Sequence, residues 1–466
     1  MDRPNILFIM SDDHAAHAIG AYGSQINQTP NIDRLAKEGM RLNNCFCTNS
    51  ICTPSRATIL TGQYGHLNGV HTLVDKLDGR HDPQIQKLLG NAGYQTAIVG
   101  KWHLGHGDNN DPSGFDYWNV LPGQGDYHNP EMIEMGTSKR HEGYVTEIIT
   151  ELSMDWLQQR DTSKPFMLMC HHKAPHRPWE PSKRYERLFD ESDIPEPSTL
   201  YDDYSNRATA ASAAEMRVSR DLNSTDLKQE PPKHLEGDYL TAWLYQRYIK
   251  DYLRCVQSVD DSVGRLIDYL DNENILDNTI VIYTSDQGFF LGDHGWYDKR
   301  FIYEESLRMP FLIRYPREIE AGSESDKIVI NNDFAPTILD YAQLSIASEM
   351  QGVSARDVFA GGDPNGWRDS LYYRYWMHRG NNNHNVYAHY GVRTQSKKLI
   401  YYYADGLGLA GTGDAVAHKE WELFDLDQDP QELVNVYSNE EYGQTVKELT
   451  EELERLQVEY RDKPEH

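Results

Sequence analysis

Two pairs of side chains offer oxygen ligands to a hard metal ion. Asp12-Asp13 and Asp286-Gln287 each follow a short apolar run, and together they present only carboxylate and amide groups. An all-oxygen set suits Ca²⁺ or Mg²⁺ rather than zinc or copper. Adjacent Asp residues also cap helices or sit in turns, but a Gln beside an Asp at a second strand end favours the metal. The most specific segment of the chain is Cys52-Thr53-Pro54-Ser55-Arg56-Ala57-Thr58-Ile59-Leu60-Thr61-Gly62. Thr53 is expected to cap a helix, Pro54 to occupy its first turn and Gly62 to stop it. Cys52 then sits at a helix N-terminus, where the dipole favours a negative group, and Arg56 lies on the same face, able to reach back. On these grounds the segment is a low-pKa thiol or an anion-binding turn, with a buried, inert Cys as the common alternative. Basic and imidazole groups recur at Lys101 and His103, at His171, His172 and His176, and at Lys299.

The elements that must position these groups are short apolar runs at residues 5–10, 95–99, 165–170 and 279–283. Each is continuous rather than alternating, as strands buried on both faces of a parallel sheet are. Helical patterns at 29–38, 82–92, 143–159 and 239–272 lie between or after them. Alternation of strand and helix predicts an α/β domain with a large, mostly parallel sheet flanked by helices. Ligands bind at the carboxyl ends of strands in such sheets, and all four runs end in chemically capable residues. Four separate segments therefore deliver side chains to one rim.

The chain has 466 residues, with 45 Lys plus Arg against 72 Asp plus Glu, a net charge of −27. A protein this acidic repels bulk polyanions, so neither nucleic acid nor an anionic membrane surface is expected as a partner; a small anion in a locally positive pocket is still allowed. No run approaches the roughly 20 apolar residues of a spanning helix, so no membrane insertion is expected. The start lacks the shape of a signal peptide; the expectation is a cytoplasmic protein, or a periplasmic or secreted one if a leader was removed. The 5 Cys, clustered at Cys45, Cys47 and Cys52, fit neither a disulfide framework nor a zinc site.

Cys-x-Pro-Ser-Arg followed by Ala57-Thr58-Ile59-Leu60-Thr61-Gly62 resembles the signature of the type I, formylglycine-dependent sulfatases of the alkaline-phosphatase-like superfamily. The resemblance spans nearly the whole chain. It takes in Pro4-Asn5-Ile6-Leu7 to Asp12-Asp13, Thr29-Pro30-Asn31-Ile32-Asp33, Gly100-Lys101-Trp102-His103, Ala174-Pro175-His176, Asp286-Gln287-Gly288 through Lys299, and Trp421-Glu422-Leu423-Phe424-Asp425-Leu426. It implies that a separate maturation enzyme oxidises Cys52 to formylglycine, whose hydrate attacks sulfur. It implies one Ca²⁺, ahead of Mg²⁺ or Mn²⁺, held by Asp12, Asp13, Asp286, Gln287 and the modified Cys52. Arg56 would steady the diol, and Asp286 would help deprotonate it. Lys101, His176 and Lys299 would hold the sulfate, with proton donation to the leaving oxygen from the Lys299–His176 pair. His103 would take the proton that lets sulfate leave. Gln287 departs from the Asn or His of many relatives, but its carbonyl still suits Ca²⁺. The physics is consistent: an anionic ester meeting an anionic nucleophile needs dense positive charge at the site.

The resemblance implies a sulfuric ester hydrolase acting on a sulfated sugar or polysaccharide, in the style of N-acetylglucosamine-6-sulfatases. The alternatives are a phosphonate monoester or phosphodiester hydrolase of the same superfamily, a binding protein with a dead site, and a redox enzyme using unmodified Cys52. The dead site would lack a key residue, and none is missing; the redox enzyme would want a resolving Cys-x-x-Cys, and there is none. Residues 1–345 are expected to form the catalytic domain, with a polar surface insertion at about 190–237. Residues 346–466 are expected to form a smaller subdomain, a small antiparallel sheet of aromatic runs with a charged helix at 439–461. Arg374, His378, His389 and Arg393 in that subdomain are candidates for the substrate entrance.

Overall fold

The computed structural model describes residues 3–380 and 384–464. The four apolar runs become four adjacent parallel strands, in the order Thr279–Ser285, Asn5–Ser11, Phe166–His171 and Gln95–Lys101. They are buried almost throughout, Gln95 alone being partly exposed, which is why their sequences show no polar alternation. Their register aligns the carboxyl ends: Ser11 lies opposite Ser285, Met10 opposite His171, and His171 opposite Gly100. The residues that follow therefore emerge along one edge.

Six more strands complete a ten-stranded sheet. Tyr117–Leu121 continues the parallel order, and Glu131–Glu134 and Thr137–Arg140 close that side in antiparallel fashion. On the other side Phe311–Arg314 pairs antiparallel with Thr279–Ser285, followed by Met40–Leu42 and Ser323–Ser325. The helices expected from the sequence form at Pro30–Glu38, Ile85–Asn91, Val145–Gln159 and Gly237–Asn272. The last is 36 residues long, and its inner face carries Tyr245, Tyr248, Tyr252, Val256, Val259 and Val263 into the core. Its Tyr252 hydroxyl donates to the Asp13 carbonyl at 2.8 Å and accepts from Ala15 N–H at 2.9 Å, so the helix props up the loop after the first strand. No helix among the described residues is long and apolar enough to cross a membrane.

The stretch 190–237 is more than a surface loop. Leu200, Tyr204, Ala208, Met216 and Val218 are buried, and short helices form at Thr209–Ala213 and Ser224–Leu227. Its polar composition hid these anchors. Tyr204 donates to the His294 carbonyl at 2.6 Å, and Ala208 N–H donates to the buried carboxylate of Glu422 at 2.7 Å.

Towards the C-terminus, Ser370–Tyr375, His389–Thr394, Lys397–Tyr402 and Glu420–Asp425 form a four-stranded antiparallel sheet. The helix Gly443–Glu459 packs on it through Leu449, Leu453 and Leu456. This sheet braces the rim of the larger one. The Tyr373 hydroxyl accepts from Ser50 N–H at 3.0 Å and donates to the Arg300 carbonyl at 2.6 Å, tying the segments that carry Cys52 and Lys299. All four entrance candidates are internal. Arg374 pairs with Asp462 at 2.8 Å, Arg393 with Glu304 at 3.1 Å, and His389 is fully buried against Phe301, Tyr373, Tyr375 and Tyr402. His378 is likewise buried, its Nδ1 accepting from Ala388 N–H at 3.1 Å.

Candidate active site

The helix after Ser50-Ile51 runs Cys52–Thr61, and every one of its residues is buried. Ile51, extended at φ −152°, is the N-cap, so Cys52 is the first helical residue and Thr53 is not the cap. Gly62 stops the helix in the left-handed region at φ 65°, its N–H donating to Thr58 O at 2.8 Å. Burial pushes the Cys52 thiol up to about 12, although Lys299 and Lys101 pull it down. The low-pKa thiol suggested by the helix terminus is therefore not what the fold makes, because desolvation outweighs the dipole and the lysines.

Arg56 lies one turn on and is 2% exposed. Its Nε and one terminal nitrogen are each 3.0 Å from Asp286 Oδ2, and its other terminal nitrogen donates to the Lys101 carbonyl at 2.7 Å. One guanidinium thus joins the ends of two strands to the Cys52 helix. Ser55 adds a bond to the Asp286 carbonyl and accepts from Asn331 at 2.9 Å.

Asp12, Asp13 and Asp286 are fully buried, each with a carboxylate oxygen within 4.8 Å of the others'. Asp13 turns back at φ 68° and donates its N–H to Asp286 Oδ1 at 3.2 Å. Burial pushes Asp286 up to about 7 with Asp12 adding to the rise, and pushes Asp13 up to about 6 against the pull of Lys299. Asp12 also pays for burial, but Lys101 first, then His176, Arg56 and Lys299, hold it well below the usual carboxylate range. Two oxygens of this cluster, Asp12 Oδ1 and Gln287 Oε1, have no hydrogen-bond partner among the described residues. Three crowded carboxylates with two orphaned oxygens are a donor set that a divalent cation would satisfy. The residues present fit such an ion.

Lys101 reaches the same place by a backbone irregularity. Gly100 has φ 106°, and a Cβ there would lie 1.9 Å from the His171 carbonyl oxygen, so only glycine fits. The Lys101 ammonium bonds Asp12 Oδ2 and, at 2.5 Å, Gln124 Oε1. Lys299 Nζ donates to Asp13 Oδ2 at 2.6 Å. His176 Nδ1 sits 2.6 Å from the Arg177 carbonyl, which makes Nδ1 the donor and leaves Nε2, 3.7 Å from Asp13 Oδ2, free to accept. A ring nitrogen of His176, Cys52 Sγ and a carboxylate oxygen of Asp12 lie within 4.8 Å of one another. His103, at φ 58°, places Nδ1 3.3 Å from the Thr53 hydroxyl, next to Cys52. Burial drives both imidazoles down, His103 and His176 alike, so both are neutral bases near pH 7.

Asp12, Asp13, Cys52, Arg56, Lys101, His103, His176, Asp286, Gln287 and Lys299 thus all lie at this rim. Gln124, Asn331 and Tyr252 were missed. Gln124 lies between two glycines in a loop with no periodicity to flag it, and Asn331 and Tyr252 come from distant parts of the chain. His171, His172 and His294 are internal: His172 Nε2 meets Ser262 Oγ at 3.0 Å, His171 stacks edge-on to Phe8, and His294 lies between Asp202 and Glu305.

The comparisons with known proteins agree with this geometry. The sulfatase family profile matches residues 4–344, and an N-sulphoglucosamine sulphohydrolase C-terminal profile matches residues 292–459. The N-acetylglucosamine-6-O-sulfatase of Bacteroides thetaiotaomicron is 42% identical over 505 residues, covering 99% of this chain and 87% of that protein. A solved structure of a protein with its substrate D-glucosamine-2-N,6-O-disulfate superposes with a TM-score of 0.93 at 42% identity, covering 99% of each chain. A phosphonate monoester hydrolase of Agrobacterium radiobacter superposes with a TM-score of 0.75 at 22% identity over 98% of this chain and 96% of its own, which shows the shared fold alone. Sulfatases typically work through formylglycine and a metal, and the buried acidic cluster is consistent with a metal site. With the family profile covering most of its length and a full-length relative at this identity, the chain belongs to the sulfatase family, the sulfuric ester hydrolases.

Proposed function

We propose that this sulfatase removes the 6-O-sulfate of glucosamine units in a sulfated glycan, with Cys52 converted to formylglycine by a maturation enzyme and one Ca²⁺ held by Asp12, Asp13, Asp286 and Gln287. The observation that carries the reading is the meeting of Cys52, Asp12 and His176 within 4.8 Å, ringed by Lys101, Lys299 and Arg56. The substrate follows from relatives that act on N-acetylglucosamine 6-sulfate and bind D-glucosamine-2-N,6-O-disulfate. When present, formylglycine supplies the nucleophile and Ca²⁺ the Lewis acidity at a developing negative charge. Arg56 orients Asp286, and Asp286 is placed to take the proton of the attacking hydroxyl. Lys101 and Lys299 hold sulfate oxygens and screen the approach of one anion to another. His176, with Nε2 free, works with Lys299 at the leaving oxygen. His103 stands on the Thr53 side, placed to take the second proton. The catalytic unit is assigned to residues 1–345 and the bracing subdomain to 346–466.

The test has two parts. In active enzyme, the Cys52 peptide is expected about 18 Da lighter than its unmodified form, with Cys52→Ala folded and inactive. Full activity of Cys52→Ala would overturn the nucleophile. Steady-state rates on N-acetylglucosamine 6-sulfate against an aryl phosphonate monoester are expected to favour the sulfate ester. A preference for the phosphonate would transfer the chain's chemistry to the other branch of the superfamily.

A further inference from the structure

The charged groups of the rim pair one to one. Lys101 meets Asp12, Lys299 meets Asp13, and Arg56 meets Asp286. One more cation stands on the strand-end turn that carries His176 and is not part of this balance. Lys173 is 1% exposed, and neither a hydrogen bond nor an ion pair reaches its ammonium among the described residues. It lies over the face of Tyr127, 4.7 Å from the ring centroid. It is the second residue after the third strand of the central four, and the turn it opens carries His176, whose N–H donates to the Lys173 carbonyl at 3.0 Å. The neighbouring Ala174 carbonyl accepts from Asp12 N–H at 3.3 Å, so Lys173 shares its backbone with both walls of the site. The charges that act on its ammonium are Lys101 foremost, then Asp12, Cys255 and Glu180.

A buried ammonium without a counter-ion is costly unless an anion is supplied. Burial, with Lys101 beside it, lowers Lys173 to about 8, the direction expected of a cation waiting for a partner. The cation–π contact with Tyr127 holds the side chain in place but brings no negative charge. Tyr127 is itself fixed, its hydroxyl donating to the His176 carbonyl at 2.6 Å. Every carboxylate of the cluster is already matched, and the molecule that brings an unmatched anion to this rim is the sulfate ester.

We propose that Lys173 is a further anion-binding residue of this site, the resident cation whose counter-ion is the sulfate group of substrate and product. The inference rests on the reading of the rim as the sulfate site. It makes the pocket richer in positive charge than the Lys101 and Lys299 pair alone. It also explains how a lysine without a protein partner is tolerated in the interior: the protein carries the cost when empty and recovers it on binding.

Inorganic sulfate is the probe, used as a competitive inhibitor of the mature enzyme, with Lys173→Met and Lys173→Gln compared with Lys101→Met. Both Lys173 variants are expected to weaken sulfate inhibition by roughly tenfold to a hundredfold, the worth of one charge-assisted contact. KM for the sulfate ester is expected to rise more than kcat falls, and the unfolding midpoint to stay level or rise, because an unpaired buried charge has been removed. Unchanged sulfate inhibition in both Lys173 variants, beside weakened inhibition in Lys101→Met, would overturn the proposal and leave the site reading standing. Unchanged inhibition in all three variants would overturn the site reading with it. A lowered midpoint with unchanged inhibition would make Lys173 a structural cation and likewise refute the role.

Discussion

Replacing Arg56 by lysine separates charge from geometry at the centre of the site. The guanidinium makes contacts that no ammonium can reproduce together: two nitrogens 3.0 Å from Asp286 Oδ2 and a third 2.7 Å from the Lys101 carbonyl. Lysine keeps the positive charge opposite Asp286 but reaches one acceptor at a time. A hydrogen bond to a charged group contributes about 1.5–3 kcal/mol, so losing one of the guanidinium's two hydrogen bonds while keeping the charge is expected to destabilise the fold by about 1.5–3 kcal/mol. Arg56→Ala goes further, leaving a buried carboxylate unmatched, and is expected to cost about 3–5 kcal/mol. The kinetic loss is separate. Arg56 ties the Asp286 and Lys101 strand ends to the Cys52 helix, and a shift of about 1 Å between reacting groups is enough for a ~10²-fold loss of rate. Denaturant midpoints and kcat/KM on a sulfate ester read the two effects independently, and added salt should change neither, because the pair is buried. An Arg56→Lys protein with a wild-type midpoint and wild-type kcat/KM would refute the claim that this guanidinium's geometry, rather than its charge, organises the rim.

Two further outcomes follow from burial and backbone geometry. Burial opposes a charge on His294, yet hydrogen bonds to Asp202 and then Glu305 push it up from 6.5 to about 9. A pKa raised by folding adds stability that is complete below about pH 6.5 and lost as pH climbs through about 9, on the order of 3 kcal/mol. Denaturant midpoints taken at both ends of that window should fall for the parent protein and stay nearly level for His294→Gln; an equal fall in both would mean another group carries the effect. Gly100→Ala would bring a Cβ to 1.9 Å from the His171 carbonyl oxygen at φ 106°, whereas Gly23, at φ 80°, has open space around its Cβ position. Gly100→Ala is therefore expected to lower both the midpoint and the sulfatase activity, while Gly23→Ala shows only the ~1 kcal/mol backbone cost; equal behaviour of the two would contradict the argument that only glycine fits before Lys101.

What could be read from the sequence was whatever depends on near neighbours in the chain. The four central strands showed as continuous apolar runs because both of their faces are covered, and that cover leaves no room for polar alternation. The site residues showed because the strand ends and the first helical turn after Ile51 are short segments with fixed spacing. Thr53 as cap failed because capping preference is a weak local term, and here the chain enters the helix already buried at Ile51. Arg374 and Arg393 were read as entrance residues because their partners, Asp462 and Glu304, lie 88 and 89 residues away. The Cys52 thiol shows the same limit in energetic form. The helix terminus, Arg56 and the nearby lysines all favour a thiolate, and they are visible in sequence or in motif. Desolvation opposes it and prevails. Burial is a property of the whole fold, so the sign of that shift could not be fixed until the fold was known. The same reasoning makes the unmodified thiol at this position unreactive: a cysteine held protonated resists adventitious oxidation.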